Sequence, residues 1–372
     1  MRIKAAVCRE FGAPLSIEEL EMAEPREHEV QVKHLATGFC HSDLHCWLGI
    51  LPVTLPTVLG HESCGVVEKV GPGVTKVKPG DRVIGCWMVP CGKCFQCLRG
   101  RPNICEGNMP YFRTGNLLDG TSRYTDAKGK RVGLNNFVAG FATHAILPEI
   151  GAVKVPEHIK LAPELLCQLG CSVVTGWGSV VKIANACEGT ALGVWGCGGI
   201  GLNAIRFAAL RHCRPLVAVD LEASKRDIAL EFGATHFIDS SKDDPIPIIM
   251  ELTDGNGLEY AIEAIGDPGA QVQAWWSLRT GATLIATGIA PAESTTNIPL
   301  CYGSLQAKTI RGTLYGEAHP TEDLPSLMEL MATGELKTDK LVTRTIGLED
   351  LDEARRAMLA REIVGRWVIK YD

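Results

Sequence analysis

The sequence lacks the features that mark several large classes of protein. No stretch reaches the roughly 18 consecutive apolar residues of a membrane-spanning helix, and the longest candidate, 191–202, is short and rich in glycine. Basic residues form no block, and 37 Lys+Arg against 43 Asp+Glu give a net charge of −6. These absences argue against a membrane or a nucleic acid as partner. No low-complexity run or internal repeat occurs, and 46% apolar with 22% charged residues is typical of a globular protein.

The chain also lacks the pattern of a secretory signal, because residues 1–7 carry charge from the second position and contain no apolar core. The expected location is therefore cytoplasmic. Fifteen cysteines are an odd number, and in a reducing compartment they argue against a disulfide framework. Most of the cysteines are expected to pack as small buried side chains.

A length of 372 residues predicts two domains. Up to about residue 170, short strands such as those at 29–35, 63–70 and 81–85 are separated by turn signals. This pattern is typical of an antiparallel, barrel-like β domain. In the strand at 29–35, Val32 is expected to face inward and Gln31 outward.

Beyond about residue 172, apolar runs alternate with helical patterns. The strands expected there lie at 191–195, 216–220, 236–239, 260–265 and 282–287. Helices are expected at 200–211 and 223–232. Strands separated by helices imply a parallel sheet with right-handed crossovers, so the predicted fold class is α/β. The C-terminal segment, with helices at 321–333 and 349–359 and a strand at 367–371, is expected to belong to the first domain.

A glycine-rich turn follows the strand at 191–195. Residues 196–201 fit the pattern G-x-G-x-x-G and open a helix, so a dinucleotide pyrophosphate would lie on the helix N-terminus. Gly196 permits the tight turn, Gly198 lets the backbone approach the pyrophosphate, and Gly201 allows close packing of helix on strand. The residues of this turn expected to bind the coenzyme are Gly196, Gly198, Gly199, Ile200 and Gly201.

Asp220 ends the next strand, where a carboxylate would accept hydrogen bonds from the ribose. The same carboxylate would repel the extra phosphate of NADP, so NAD is favoured. A tight turn followed by a solvated aspartate is the alternative interpretation.

Cys91, Cys94, Cys97 and Cys105 place four thiols within one short, turn-rich segment. Four sulfur ligands complete a tetrahedral zinc site and leave no open position, so this site is predicted to be structural. An iron–sulfur cluster also uses four thiolates, but its common spacings differ. Reduced cysteines without a metal are the remaining alternative.

A second metal site can be assembled only from distant segments. Cys40, His61 and Cys171 form a two-cysteine, one-histidine set, which leaves a fourth position for water or substrate. Taken singly, each residue could equally be a core cysteine or a hydrogen-bonded histidine. Their joint assignment therefore depends on a resemblance to known proteins.

The motifs together resemble those of the zinc-dependent, medium-chain alcohol dehydrogenases. The resemblance rests on four motifs. Two of them are Gly60-His61-Glu62-Ser63-Cys64-Gly65, followed in the chain by Gly71 and Val74, and Cys40-His41-Ser42-Asp43. The other two are the four-cysteine segment and the coenzyme turn. These motifs occur in the family's order over essentially the whole chain. The loop at 119–124 is similar to that of the dimeric, class III-like and aryl-alcohol branch.

The resemblance implies a GroES-like β-barrel catalytic domain and a Rossmann doubly wound coenzyme domain. The catalytic domain would comprise residues 1–172 and 314–372 and hold both zinc sites, and the coenzyme domain residues 173–313. Cys40, His61 and Cys171 would be the catalytic zinc ligands. One catalytic and one structural Zn²⁺ per chain, NAD as coenzyme and a homodimer follow as expectations.

The resemblance also assigns roles to polar residues around these ligands. Glu62 would approach the metal during ligand exchange, and Asp43 would orient a ligand histidine. Ser42 would bond the alcohol hydroxyl, and His45 would end a proton relay through the nicotinamide ribose. Three further residues are expected to contact the coenzyme: Lys225 at the adenosine ribose, and His41 and Arg366 at the pyrophosphate. For each charged residue a solvated surface position is the alternative.

Trp87, Leu51 and Phe137 are expected to line an apolar substrate pocket that accepts aromatic groups. Packing of Trp87 in the barrel alone is the alternative. Class III members, which oxidise the glutathione adduct of formaldehyde, carry acidic residues just after the catalytic cysteine region, whereas Gly49, Ile50 and Leu51 are uncharged. This difference argues against glutathione-linked chemistry.

The expected function is reversible, NAD-dependent oxidation of a primary, apolar, aromatic or allylic alcohol to an aldehyde. The partners are therefore small molecules. Three alternatives stay open at this point. They are an S-(hydroxymethyl)glutathione dehydrogenase, a nicotinoprotein with permanently bound NAD, and a non-catalytic zinc- or nucleotide-binding protein.

Overall fold

The computed structural model describes residues 1–372 apart from the side chain of Leu300. The strands are β1 (Arg2–Cys8), β2 (Ser16–Met22), β3 (Glu29–Gly38), β4 (Thr57–Val58), β5 (Glu62–Val70), β6 (Arg82–Gly85), β7 (Tyr124–Thr125), β8 (Arg131–Leu134), β9 (His144–Pro148), β10 (Ala152–Lys154), β11 (Leu192–Trp195), β12 (Leu216–Asp220), β13 (His236–Asp239), β14 (Leu258–Glu263), β15 (Leu278–Ala286), β16 (Thr309–Gly312), β17 (Val342–Ile346) and β18 (Arg366–Lys370).

The α-helices are α1 (His41–Trp47), α2 (Phe95–Leu98), α3 (Pro163–Leu166), α4 (Ser172–Gly178), α5 (Gly199–Leu210), α6 (Arg226–Glu231), α7 (Pro245–Leu252), α8 (Pro268–Trp276), α9 (Leu300–Leu305), α10 (Pro320–Ala332) and α11 (Leu351–Leu359). A π-helical turn, Ser179–Ile183, follows α4. Short 3₁₀ turns lie at Pro102–Ile104, Met109–Tyr111, Asn135–Phe137, Glu149–Gly151, Cys167–Gly170, Ala223–Lys225, Tyr315–Glu317, Asp339–Leu341 and Leu348–Asp350.

The chain divides into two compact units. The first joins Met1–Cys171 to His319–Asp372, and the second is Ser172–Ala318. In the first unit β1, β2, β7, β8 and β4 close a small barrel. A second sheet has the order β10-β6-β5-β3-β18-β17, with β9 also paired to β3. The expected barrel-like domain is therefore present.

Two details of the expected first domain are wrong. Its strand pairs are antiparallel except β4–β8 and β17–β18, which are parallel. In both parallel pairs a long stretch of chain separates the two strands, because a hairpin cannot connect parallel strands. Gln31 is buried rather than outward, with only 2% of its surface exposed, because β3 pairs with β5 on one side and β9 on the other inside the sheet. Its side-chain amide donates to Glu68.

The second unit contains a six-stranded sheet with the order β13-β12-β11-β14-β15-β16. Every neighbouring pair is parallel, as crossover helices between strands require. The central strand β11 is buried along its whole length, which explains its continuous apolar sequence. The strand order reverses between β11 and β14, and ligands of such sheets bind at the carboxyl ends of the strands there. The α/β fold class is confirmed.

No single helix in the described chain is long and apolar enough to cross a membrane. One bent pair, Pro163–Gly170 with Ser172–Ile183, passes that test by length and composition alone.

His34 links the first unit's stability to pH. This residue of β3 is completely buried, and its Nδ1 lies 2.8 Å from the carbonyl oxygen of Ala142. Its Nε2 is buried without a hydrogen-bond partner, so a second proton there would be unsolvated. Burial accordingly lowers the pKa of His34 to about 4.

We expect His34 to make the fold acid-sensitive. The unfolded chain takes up the proton near pH 6.5, but the folded chain only near pH 4, so the contribution of His34 is full above pH 6.5 and is lost as the pH falls. The free energy of unfolding should fall by about 2 kcal/mol between pH 7 and pH 5 through this residue. Urea unfolding of the parent and His34→Gln across this range measures it. His236→Gln, at an exposed position of β13, is the control. Equal acid slopes in the parent and His34→Gln would contradict the assignment.

Candidate active site

A buried carboxylate organises the first metal-ligand segment. Cys40 has an extended backbone and directly precedes α1. Asp43, in the first turn of α1, accepts a hydrogen bond from the Cys40 N–H through Oδ2 at 3.1 Å. Its Oδ1 accepts from the N–H of Gly60 at 3.2 Å and from Nδ1 of His61 at 2.8 Å. Asp43 therefore ties Cys40 to His61, and the Nε2 of His61 is left as the ligand atom.

Four donor groups converge at this point. The ligand atoms of Cys40, His61, Glu62 and Cys171 all lie within 4.8 Å of one another, and all four residues are buried. A hydrogen bond with Cys171 is the largest of the effects that hold the pKa of Cys40 well below its ordinary value. Two thiols and one imidazole nitrogen at this separation match the ligand set that zinc prefers. The predicted triad is thus brought together, with Glu62 beside it.

Glu62 lies beside the donor set and binds an arginine through one of its two oxygens. Its Oε1 accepts from Nη2 of Arg366 at 2.8 Å, while Oε2 is buried without a hydrogen-bond partner. Burial raises the pKa of Glu62 to about 8 against the opposing charge of Arg366. Arg366 also donates to the carbonyl oxygen of Phe39, so its side chain is engaged inside the first unit. The expected pyrophosphate contact of Arg366 stays a prediction.

The hydroxyl of Ser42 lies next to two members of the donor set. Its Oγ is 3.4 Å from the sulfur of Cys40 and 3.3 Å from Nε2 of His61. His45, one turn further along α1, has a buried Nδ1 without a hydrogen-bond partner, and burial lowers its pKa to about 4. The rings of His41 and His45 meet edge to face at 4.8 Å. The relay from Ser42 to His45 and the coenzyme contact of His41 stay predictions.

An aromatic wall extends from the metal ligands. Trp87 is 7% exposed, and its ring meets that of His61 edge to face at 6.1 Å. On its other side Trp87 stacks on Phe112 at 5.3 Å. Leu51 and Phe137 are buried in the first unit's apolar core, against which Phe112 packs. Phe112 was not expected at this wall, because it lies in a turn-rich segment without periodicity and only the fold brings it to Trp87.

The four-cysteine segment forms a separate cluster at α2. The sulfurs of Cys91, Cys94, Cys97 and Cys105 lie within 4.8 Å of one another. A backbone N–H from Cys97 is the largest of the effects that lower the pKa of Cys94 to about 6, while burial raises the pKa of Cys97 to about 12. Thiols packed this closely cannot all ionise unless a cation neutralises them, so the cluster fits a bound zinc ion.

The second unit carries the glycine-rich turn between β11 and α5. Gly196 has a φ of +93°, which side-chain-bearing residues rarely adopt, and a Cβ on Gly201 would collide with the Gly196 carbonyl. No atom lies within 4 Å of the place where a Cβ of Gly198 would be. That space is what a closely approaching pyrophosphate needs. Gly199 and Ile200 begin α5, whose N-terminal N–H groups complete the cradle.

Asp220 at the end of β12 is fixed by three donors. Its Oδ2 accepts from the N–H of Cys197 at 2.7 Å, and its Oδ1 accepts from the N–H of Glu222 at 3.0 Å. Nζ of Lys225 completes the set at 3.1 Å. The carboxylate therefore braces the glycine-rich turn against the next strand. Asp220 and Lys225 are brought together, and their contacts with the coenzyme ribose stay predictions.

Comparisons with known proteins agree with this geometry. The alcohol dehydrogenase GroES-like domain family matches residues 26–157, and the zinc-binding dehydrogenase family matches residues 199–333. The NDMA-dependent alcohol dehydrogenase of Amycolatopsis methanolica is 39% identical over 356 residues, which is 95% of each chain. The chain belongs to the zinc-dependent medium-chain alcohol dehydrogenases. It is therefore a zinc-containing oxidoreductase.

Solved structures of this family share the whole fold. The benzyl alcohol dehydrogenase of Acinetobacter calcoaceticus superposes with a TM-score of 0.93 at 32% identity and covers 100% of both chains. An alcohol dehydrogenase zinc-binding domain protein from Burkholderia ambifaria superposes with a TM-score of 0.94 at 34% identity, covering 100% of this alcohol dehydrogenase and 99% of that chain.

We expect Cys97→Ser to remove the metal of the four-cysteine cluster. A serine hydroxyl does not replace a thiolate ligand, so the variant should hold one zinc fewer per chain and unfold at a lower temperature. Metal analysis and thermal unfolding of the purified protein measure both effects.

Cys301→Ser, an exposed cysteine outside both clusters, is the matched control and should keep the parent's metal content. If Cys97→Ser also kept it, the cluster would not be a zinc site.

Proposed function

We propose that this enzyme reversibly oxidises a primary alcohol to an aldehyde, with zinc at Cys40, His61 and Cys171 and with hydride transfer to NAD. The observation that carries the proposal is the buried set of two thiols and one imidazole nitrogen, with the Ser42 hydroxyl within 3.4 Å of two of these ligand atoms. Three protein ligands leave one tetrahedral position for the substrate. Glu62, whose Oε1 binds Arg366, lies beside these three ligands.

The residues around the donor set have separate roles in the proposed reaction. When bound, zinc would act as a Lewis acid that lowers the pKa of the alcohol, and NAD would accept the hydride. Asp43 keeps Nδ1 of His61 occupied, so Nε2 stays available as a ligand. The Ser42 hydroxyl lies where it can accept the proton of an alcohol oxygen. His45 is neutral near pH 7, because burial lowers its pKa to about 4.

The aromatic wall formed by Trp87 and Phe112 supports an aromatic or allylic alcohol as substrate. Trp87 meets His61 edge to face and stacks on Phe112, and Phe112 packs against the apolar core that contains Leu51 and Phe137. Flat rings bind favourably against such a surface. The name of the structural relative from Acinetobacter calcoaceticus, a benzyl alcohol dehydrogenase, supports the same substrate class.

Two observations support NAD as the coenzyme. The space at Gly198 admits a pyrophosphate, and the carboxylate of Asp220 would repel a phosphate on the adenosine ribose. Two zinc ions per chain are proposed from the two donor clusters. A homodimer is supported by the edge strand β16, whose Ile310 is 48% exposed beside Leu305 at 81%. A cytoplasmic location stays a prediction.

We expect Cys40→Ser to abolish turnover, by about 100-fold or more in kcat, because loss of a thiolate ligand weakens the catalytic metal site. The variant should hold one zinc fewer per chain yet bind NAD as the parent does. Alcohol oxidation, metal analysis and NAD binding by fluorescence measure the three effects. Cys187→Ser, an exposed cysteine in the second unit, is the control. Unchanged turnover in Cys40→Ser would refute the proposed catalytic site.

We expect Asp220→Ser to change the coenzyme preference. Removing the carboxylate should move the ratio of kcat/KM for NAD over NADP by about tenfold or more toward NADP, since the repulsion of a ribose phosphate is lost. Steady-state kinetics with both coenzymes measure the ratio. Asp239→Ser changes the residue paired with Asp220 across β12 and β13 and is the matched control. A ratio that does not move would remove Asp220 from coenzyme recognition.

A permanently bound coenzyme is the second candidate arrangement. The relative from Amycolatopsis methanolica is named for its dependence on NDMA, which favours a hydride acceptor other than free NAD. Such a nicotinoprotein would retain coenzyme absorbance through gel filtration and would not turn over added NAD. Oxidation of formaldehyde only in the presence of glutathione would instead favour the S-(hydroxymethyl)glutathione dehydrogenase.

A further inference from the structure

Arg113 stands at the far end of the aromatic wall. Its guanidinium lies over the ring of Phe112 at 4.8 Å, Phe112 stacks on Trp87 at 5.3 Å, and Trp87 meets the metal-ligand residue His61 at 6.1 Å. The backbone carbonyl of Arg113 accepts from the N–H of Thr54, which holds it against the loop that follows Leu51. Three successive ring contacts thus connect this cation to the metal ligands.

The charge of Arg113 is not neutralised within the protein. In the part of the chain that the structure describes, no carboxylate pairs with it, and its Nε is buried without a hydrogen-bond partner. The other well-buried arginines are paired, Arg123 with Glu29 and Arg366 with Glu62. Burial lowers the pKa of Arg113, but guanidinium remains charged at neutral pH. A half-buried cation without a counter-ion is costly, so an acidic partner from outside the chain would be favourable.

The thiol beside Arg113 does not supply that counter-charge. Cys46 is close enough for the two groups to influence each other electrostatically. Burial raises the pKa of Cys46 to about 12, so the thiol is neutral at physiological pH. Its sulfur meets the side-chain amide of Asn135 at 4.0 Å.

The accessible end of the guanidinium also has a defined shape. Nε is buried, but the two Nη groups are not, and their N–H groups form a fork that matches the two oxygens of a carboxylate. Lysine offers only a point charge and lacks this match. The stack on Phe112 fixes the plane of the fork.

We propose that Arg113 binds a carboxylate on the alcohol substrate, so that the enzyme selects alcohols that carry an anionic group across an apolar spacer. The proposal rests on the proposed function and names its substrate class more closely. The hydroxyl would lie at the metal ligands, the spacer along Trp87 and Phe112, and the carboxylate at Arg113. Arg113 is thus a specificity residue that touches substrate away from the reacting atoms.

The test compares ω-hydroxy carboxylates with the matched 1-alkanols over increasing chain length, and 4-(hydroxymethyl)benzoate with benzyl alcohol. For the parent, kcat/KM should favour the carboxylated member at one or more spacer lengths. In Arg113→Met the ratio of carboxylated to neutral substrate should fall by about tenfold to a hundredfold, mainly through KM, as expected for loss of a charge-assisted hydrogen bond. Arg113→Lys should restore only part of the ratio.

Arg99→Met is the matched control, since the exposed Arg99 stacks on Phe95 at 4.2 Å in the four-cysteine segment. It should keep the parent's ratio. If Arg113→Met does not fold, calorimetry on the parent decides, because 4-formylbenzoate should then bind more tightly than benzaldehyde. A parent that oxidises neutral alcohols without favouring any carboxylated member overturns the role of Arg113 and leaves the proposed function intact. A parent that oxidises neither series overturns the proposed function itself.

Discussion

The first unit's metal site depends on the three hydrogen bonds that Asp43 accepts from Cys40, Gly60 and His61. A carboxylate that is only 1% exposed would destabilise the fold unless its oxygens were satisfied, and here each oxygen has a donor. The same bonds draw two separate chain segments together and fix which nitrogen of His61 is available. Ligand geometry is therefore established by the protein before a metal binds, which lowers the cost of assembling the site.

The second unit uses the same device for a different ligand. Asp220 accepts from the N–H of Cys197 and binds Lys225, so one buried carboxylate sets the glycine-rich turn against the neighbouring strand. In both units a short acidic side chain holds a segment that carries candidate binding residues. Such bracing explains how glycine-rich segments, which are intrinsically flexible, can keep a defined shape.

Buried charge is distributed unevenly around the candidate active site. Next to the metal ligands, the carboxyl group of Glu62 binds Arg366 at 2.8 Å. Along the aromatic wall, Arg113 has no such partner. An ion pair contributes mainly to the positions of its members, whereas an unpaired cation contributes to the recognition of an anion. The two arginines therefore differ in their surroundings, because Arg366 is buried against a carboxyl group and Arg113 is half-buried without one.

The sequence by itself determined the elements whose information is local. Spacing identified the four-cysteine cluster and the glycine-rich turn, and alternation with helices identified the parallel sheet, because ligand geometry and strand connections act over short stretches of chain. Only the tertiary structure decided which distant groups meet. It brought Cys171 to Cys40, buried Gln31 inside a sheet and joined Phe112 and Arg113 to Trp87, since long-range packing leaves no periodic signal in the residues that it brings together.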